Sequence, residues 1–410
     1  MTIKAAMDVK IDCTRCGACN SICPVYDLTR HERFSPRGKA RLFSDLVRGE
    51  GLKRLSHKDL KLAETLSACL QCGACSSVCP AGVEVDAIVR RVRQGNPMSG
   101  LGFFSGLLKR PGLISRLAPL FSMVPRESGL ILRLLGLSSA VSRGRGARFV
   151  MPQISSRPAI FRGLEGVKGR FGHLTNRPKI AFFLGCIQNY IYPEVAEAIA
   201  RCLGGTLTVP VDQVCCGLPF WSSGLMDQAR TLALRNLNAI QMAGSDVVIT
   251  GCASCAAMMK RWPELFEDGP DKDAAVKVAS MVKEFTEFVR DSGRVPGISE
   301  RYSGLSMTYH APCHQRFALG GAGAGIELLQ QAAPRDFVPV SENCCGHGGV
   351  FSLKQAGLSR AILEKRLDVI KEKGVDLIVT TCSGCLLQFR TALPDEGNLR
   401  AVHIAELLSF

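Results

Sequence analysis

The sequence predicts a mixed fold class, α+β followed by α/β: a helical N-terminal domain, then two duplicated α/β domains with parallel sheets. Three observations predict it. Of the 19 cysteines, eight lie in residues 1–96 in two runs of identical spacing, none in 97–178, and eleven in 179–410. The last segment repeats its cysteines at offsets of 127 (186 to 313), 129 (215 to 344) and 130 residues (252 to 382), the mark of one duplicated unit. Within each copy, short apolar runs alternate with helical patterns, as in a parallel sheet with crossover helices. The boundaries that follow are 1–96, a basic linker 97–178, a first unit 179–300 and a second 301–410.

The N-terminal domain is read from "CTRCGACNSICP", with Cys13, Cys16, Cys19 and Cys23, and "CLQCGACSSVCP", with Cys69, Cys72, Cys75 and Cys79. Both are C-x2-C-x2-C-x3-C-P, the ligand run of two-cluster bacterial ferredoxins. Three close cysteines reach three irons of one cubane, and the fourth, set apart before proline, serves the other. Cys13, Cys16, Cys19 and Cys79 are therefore assigned to one [4Fe–4S] cluster, and Cys69, Cys72, Cys75 and Cys23 to a second. Zinc is the alternative, but structural zinc sites usually pair two separated C-x2-C knuckles. Two cubanes sharing ligands in this way make a bis-[4Fe–4S] ferredoxin-like domain that passes electrons singly.

In the first α/β copy, "KIAFFLGC" (179–186) reads as a strand ending at Cys186, "PEVAEAIARCL" (193–203) as a helix, and "TLTVP" (206–210) as a strand leading to Cys215 and Cys216. A helix over 225–243 and the strand of "DVVITGCASC" (246–255) lead to Cys252 and Cys255. The second copy matches it: "SMTYHAPC" (306–313) ends at Cys313, a helix covers 324–332, and "FVPV" (337–340) is a strand leading to Cys344 and Cys345. A helix over 354–373 and "DLIVTTCSGC" (376–385) follow, the latter ending at Cys382 and Cys385. All these cysteines fall beyond strand carboxyl ends, where open α/β sheets gather functional groups. Adjacent cysteines in extended chain point to opposite sides. A turn is needed to bring both to one site, and Gly217 and Gly346 can supply it. Five thiols per copy exceed what one cubane needs; redox-active disulfides are the alternative use.

The pattern Cys…Cys-Cys-Gly…Cys-x-x-Cys resembles the cysteine-rich CCG domain of heterodisulfide reductase, anaerobic glycerol-3-phosphate dehydrogenase and glycolate or lactate oxidation systems. With the ferredoxin motifs it covers nearly the whole chain. It is similar to the glycolate oxidase iron–sulfur subunit family, down to "SPRGKARLFSDLVRGE" (35–50) and "CPAGVEV" (79–85). The resemblance implies one or two further, non-cubane [4Fe–4S] clusters on the five-cysteine sets. It also implies an electron-transfer subunit of a FAD-dependent 2-hydroxy acid (glycolate or D-lactate) dehydrogenase, passing electrons from a flavin subunit to a quinone or other carrier. Some glycolate oxidase subunits lack part of the first set, whereas this chain has both. A heterodisulfide-reductase-like catalytic subunit therefore stays open, as does the membrane-linking subunit of glycerol-3-phosphate dehydrogenase.

Composition bounds the rest. The chain has 410 residues, enough for several domains, with 46% hydrophobic and 21% charged residues. "MTIKAAMDVKIDC" has no apolar run after its first charges, and the cysteine count is odd, so the expectation is a reduced, cytoplasmic, metal-bound protein. Net charge is +15, split as +6 over 1–96, +7 over 97–150 and +2 over 151–410. Part of this excess can neutralise anionic clusters, and no groove-reading or stacking module accompanies it, so nucleic acid is not expected. Residues 98–150 mix apolar runs with eight basic residues, without an uncharged stretch of 18. That excludes a transmembrane helix there and favours partner docking or internal bracing over peripheral contact with the inner membrane face.

Smaller features carry paired readings. Arg37, Lys39 and Arg41 either offset cluster charge, dock an acidic partner, or form a solvated helix face. His310 and His314 flank Cys313, and His347 follows the second Cys-Cys-Gly; they either bond to sulfur and relay protons, or pack and cap. The first copy lacks equivalents, so the two sites can differ in potential. "GGAGAGIE" (320–327) lacks full dinucleotide-loop spacing and reads as a helix entry. No flavin site is expected on this chain. Cys202, inside a predicted helix, reads as a core residue.

Overall fold

A computed structural model describes residues 10, 12–48, 60–95, 97, 155–161, 164, 178–203, 207–394 and 397–410. The basic stretch 98–150, expected to dock or brace, lies outside the described residues. No described helix is long and apolar enough to cross a membrane.

The N-terminal domain consists of α1 (Pro24–Thr29), α2 (Pro36–Arg48), α3 (Leu60–Ser67), α4 (Ala74–Ser77) and α5 (Val85–Gly95). Pro24, the proline of the first ligand run, opens α1; its fixed φ and missing N–H suit a first helical turn. Ala40 and Phe43 of α2 pack on Ile88, Val89 and Val92 of α5.

The first α/β unit runs β1 (Ile180–Phe182), α6 (Gly185–Tyr190), α7 (Pro193–Leu203), β2 (Leu207–Thr208), α8 (Leu218–Ser222), α9 (Met226–Met242), β3 (Val247–Thr250), α10 (Ala253–Lys260), α11 (Pro270–Met281), β4 (Val282–Glu284) and α12 (Phe285–Asp291). Its sheet has the order β2-β1-β3-β4, all parallel. After β5 (Gly297–Ile298), the second unit runs β6 (Met307–Tyr309), α13 (Cys313–Ala318), α14 (Gly323–Ala332), α15 (Val350–Lys354), α16 (Ala356–Lys371), β7 (Leu377–Thr380), α17 (Ser383–Ala392), β8 (Arg400–His403), α18 (Ile404–Leu407) and β9 (Leu408–Ser409). Its sheet, β6-β7-β8, is also parallel, and β5 pairs antiparallel with β9. Strands β1, β6 and β7 are buried on both faces, as a parallel sheet covered by helices requires.

Some elements differ from the sequence expectation. "FVPV" forms no strand: Phe337 makes one bridge to Met307, and Pro339 has no N–H to extend a ladder. The helix expected over 354–373 is α16; the short α15 precedes it, separated at Gln355 with φ −127° and ψ 48°. Strands β4 and β8 were not anticipated, being short and partly polar.

One hydrophobic core runs through both α/β units. Two reciprocal polar contacts join them at the strand ends. Glu284, ending β4 and capping α12, accepts from Thr286 N–H at 2.9 Å and from the Thr381 hydroxyl of the other unit. His403, ending β8 and capping α18, has Nε2 2.8 Å from the Gly251 carbonyl oxygen of the first unit. Thr381 precedes Cys382 and Gly251 precedes Cys252, so each unit grips the other beside a Cys-x-x-Cys loop.

The N-terminal domain is seated by α5. Arg93 is 3% exposed and donates to the carbonyls of Ser222 at 2.6 Å and Cys69 at 2.9 Å. Arg90 lies 3.6 Å over the Trp221 ring, a cation–π contact. Gly224, at φ +83°, lets the chain reverse against α5: a Cβ there would lie 2.3 Å from the Arg93 carbonyl.

Two outcomes follow. Gly224→Ala combines a left-handed backbone with that clash and is expected to destabilise the protein by about 2 kcal/mol or more, read by anaerobic denaturant unfolding. Burial raises the Glu284 carboxyl to about 7, above its unfolded value. A raised folded-state pKa favours the protonated fold, so its stability is full at low pH and declines as pH rises toward 7. Relative to Glu284→Gln, the wild type should lose about 2–3 kcal/mol between pH 5 and pH 8; equal pH slopes would refute the assignment.

Candidate metal centres

In both ferredoxin-type loops the residue before the second cysteine takes a left-handed conformation: Arg15 at φ +60° and Gln71 at φ +57°. This is uncommon for residues other than glycine, and it curls each loop into a bowl with its thiols inward. Cys13, Cys16, Cys19 and Cys79 border one cavity. Cys23, Cys69, Cys72 and Cys75 border a second. These are the two crossed sets that the spacing assigned. Nitrogen donors approach the sulfurs: Arg15 N–H to Cys13 Sγ at 3.4 Å, Val83 N–H to Cys79 Sγ at 3.2 Å and Gln71 Nε2 to Cys69 Sγ at 3.5 Å.

The flanking cations separate by role. Lys39 is 2% exposed, donates to the Ala68 carbonyl at 2.7 Å and borders the Cys23 cavity. It is not part of a solvated face. Its charge works against the burial that raises the Cys23 thiol. Arg37 borders the Cys13 cavity and pairs with Glu32 at 2.7 Å, whereas Arg41 is exposed.

In the α/β units, Gly217 (φ +94°) and Gly346 (φ +81°) make the turns expected after each cysteine pair. The result is a single cavity of about 130 Å³ bordered by Cys186, Cys215, Cys216, Cys252 and Cys255 from one copy and Cys313, Cys344, Cys345, Cys382 and Cys385 from the other. The sets meet: Cys382 and Cys252 interact directly, and Ser254 Oγ lies 3.2 Å from Cys382 Sγ and 2.9 Å from His314 Nδ1. Cys345 and Cys385 sulfurs are 3.3 Å apart. The copies fold onto each other here because their strands end on a shared core.

A second cavity, about 400 Å³, lies between the domains. Cys23 and Cys72 of the N-terminal domain form one wall, and Cys313, Cys344, Cys345, Cys385 and His310 the other. Arg316 pairs with Glu342 at 2.6 Å on its rim, and Lys365 with Asp27.

The electrostatics fit a bound cluster. Burial raises the Cys72 thiol to about 12 and the Cys19 thiol to about 11. Hydrogen bonds from Cys215 and Cys255 bring Cys216 down to about 6, and those from Cys344 and Cys385 hold Cys345 well below the ordinary thiol range. Hydrogen bonds to these two cysteines, and burial, push the neighbouring Cys255, Cys344 and Cys385 thiols up. Full deprotonation needs a multivalent cation, and an all-sulfur donor set suits iron–sulfur, zinc or copper(I).

The histidines differ. Ligand atoms of His310, Cys345 and Cys385 all lie within 4.8 Å of one another. His314 contacts Ser254, and burial lowers its pKa. His347 Nδ1 is 3.4 Å from Gln388 Oε1. Cys202 borders no cysteine cavity; its Sγ donates to the Ala405 carbonyl at 3.6 Å within the core. Glu284 and His403 escaped sequence reading because the partner of each lies in the other unit, far away along the chain.

Two protein families match the chain. Residues 11–83 match the 4Fe-4S dicluster domain family, and residues 180–260 and 307–390 each match the cysteine-rich domain family. The chain is 26% identical to the probable glycolate oxidase iron-sulfur subunit of Bacillus subtilis, over 97% of this chain and 93% of that one. It is 32% identical to lactate utilization protein A of Geobacillus kaustophilus, over 56% of this chain and 98% of that protein. The corresponding protein of an Exiguobacterium species is 30% identical over 57% of this chain and 97% of its own length.

Cysteine exchanges test the crossed sets. Cys79→Ser should perturb the same paramagnetic signal as Cys16→Ser, while Cys23→Ser perturbs the one altered by Cys72→Ser. Cys202→Ala should leave iron content unchanged and lower stability by about 1 kcal/mol. Iron analysis and EPR of the reduced protein check both; iron loss in Cys202→Ala would contradict the assignment.

Proposed function

The chain belongs to the family of cysteine-rich iron–sulfur proteins that includes lactate utilization protein A and the probable glycolate oxidase iron-sulfur subunit, and from that membership we propose an electron-transfer role. It is the iron–sulfur subunit of a FAD-dependent 2-hydroxy acid dehydrogenase complex acting on glycolate or D-lactate. A separate flavoprotein oxidises the substrate, and a quinone or another carrier accepts the electrons, with the complex cytoplasmic or peripheral on the inner membrane face.

The observation that carries this reading is the unbroken series of cysteine sets. The Cys13 set adjoins the Cys23 set, Cys23 and Cys72 share a cavity with Cys313 and Cys344, and Cys382 meets Cys252. Two cubanes and two non-cubane clusters held by these residues would supply single-electron steps, splitting a two-electron oxidation. The residues' part is to hold the thiols inward, exclude water and place cations such as Lys39 beside the charge.

A second reading is disulfide reduction at the Cys344–Cys345 site. The 400 Å³ cavity beside those thiols favours it, since it adds volume next to the cysteine pair.

Anaerobic affinity purification of the chain from its native cells separates the two. Bound flavin with dye reduction driven by glycolate or D-lactate is the expected result. Iron-rich protein without flavoprotein that, once reduced with dithionite, makes thiols from a disulfide and loses that activity in Cys345→Ser would overturn the first reading for the second.

A further inference from the structure

We propose that the second cysteine-rich centre is the more oxidising of the pair, and that His310 and Arg366 make it so. This rests on the reading that both five-cysteine sets hold iron–sulfur clusters.

At two positions beside the cysteines the copies share backbone geometry and differ in side-chain polarity. His310 stands where the first copy has Phe183: Phe183 N–H donates to the Ile249 carbonyl at 2.8 Å, and His310 N–H to the equivalent Val379 carbonyl at 2.8 Å. Both rings pack edge-on to an aromatic, Phe183 on Trp262 at 6.3 Å and His310 on Phe389 at 4.9 Å. Of this pair, His310 brings a polar ring to the cysteines, within 4.8 Å of Cys345 and Cys385, and its buried Nδ1 has no partner.

Arg366 stands where the first copy has Asn236. The buried stripes agree: Leu232, Asn236 and Ile240 on α9, and Ile362, Arg366 and Ile370 on α16. Asn236 is neutral and its amide is used by backbone: it accepts from Val214 N–H at 2.8 Å and donates to the Cys215 carbonyl at 3.0 Å. Arg366 is 1% exposed and borders the same cavity as Cys344 and Cys345. One N–H group donates to the Ser341 carbonyl, while Nε and Nη2 have no partner. A buried cation with unpaired donors is unfavourable unless an anion sits against it. Nearby Arg316 and Lys365 are matched by Glu342 and Asp27, which leaves Arg366 as the uncompensated charge. Among the described residues, no lysine or arginine borders the ten-cysteine cavity itself; Arg366 reaches Cys344 and Cys345 from the larger cavity, which none of the first copy's cysteines borders.

Reduction adds one electron and one negative charge to a centre, with no bond made or broken. A fixed cation and a ring donor beside the sulfurs stabilise the reduced form and raise the potential. An electron shared between the centres, supplied by the reduced N-terminal domain, therefore settles on the Cys344–Cys345 side. That side also borders Cys23 and Cys72, so it both receives and retains charge.

The test is anaerobic potentiometric EPR on the full-length protein, with iron per chain measured in parallel. Cys216→Ser and Cys345→Ser assign the two signals. In the wild type the Cys345-dependent signal should appear at the higher potential. His310→Phe and Arg366→Asn, which install the first copy's residues, should each lower that midpoint and leave the Cys216-dependent one unchanged. A tenfold change in electron sharing corresponds to about 59 mV for a one-electron couple. Arg366→Lys should restore the midpoint, because it keeps the charge. A second-centre midpoint at or below the first, or one unmoved in His310→Phe, overturns the proposal even where Arg366→Asn loses its iron. Iron and signal for only one cysteine-rich centre in the wild type would instead overturn the two-cluster reading, and the proposal with it.

Discussion

Thiols crowded together in the protein interior resist ionisation, because burial and each neighbouring thiolate disfavour further charge. Ten cysteines border one cavity between the α/β units, and eight more form the two N-terminal bowls. Much of the architecture answers that constraint. Loops turn left-handed so that sulfurs face inward, backbone N–H groups point at sulfur, and Lys39 and Arg366 are buried beside the cysteines where a polyanion would hold them. A metal cluster supplies the missing positive charge and turns a cluster of unfavourable groups into a binding site.

The two α/β units are bound at the same place. Strand carboxyl ends present the cysteines, and the residues just before the Cys-x-x-Cys loops, Gly251 and Thr381, receive His403 and Glu284 from the opposite unit. Any shift of one sheet against the other would break a buried polar contact and displace a ligand loop together. This couples the packing of the core to the spacing of the cysteine sets. Each sheet alone is small, and the shared core supplies the burial that neither copy has by itself.

Duplication built a symmetric frame that the side chains then made unequal. Phe183 and Asn236 leave the first site apolar and neutral; His310 and Arg366 make the second polar and cationic. The substitutions cluster on the face that meets the N-terminal domain, where the large cavity lies. A shared backbone with divergent charge is a simple way to give electrons a preferred resting place.

Local spacing made much of this readable beforehand. C-x2-C-x2-C-x3-C-P implies a bowl and a crossed fourth ligand because a handful of bonds limits where those thiols can reach, and the repeat offsets imply two copies because chain connectivity carries them. Apolar strand runs and helix patterns marked most elements for the same reason. Tertiary structure alone decided the rest. No spacing links Glu284 to Thr381, His403 to Gly251, or Cys72 to Cys313, since those contacts join residues 97, 152 and 241 positions apart. Lys39 read as readily as a solvated residue as a buried one, because burial depends on what α3 and the second loop place over it. The merging of two five-cysteine sets into one cavity likewise follows from how two sheets share a core, which no single stretch of chain encodes.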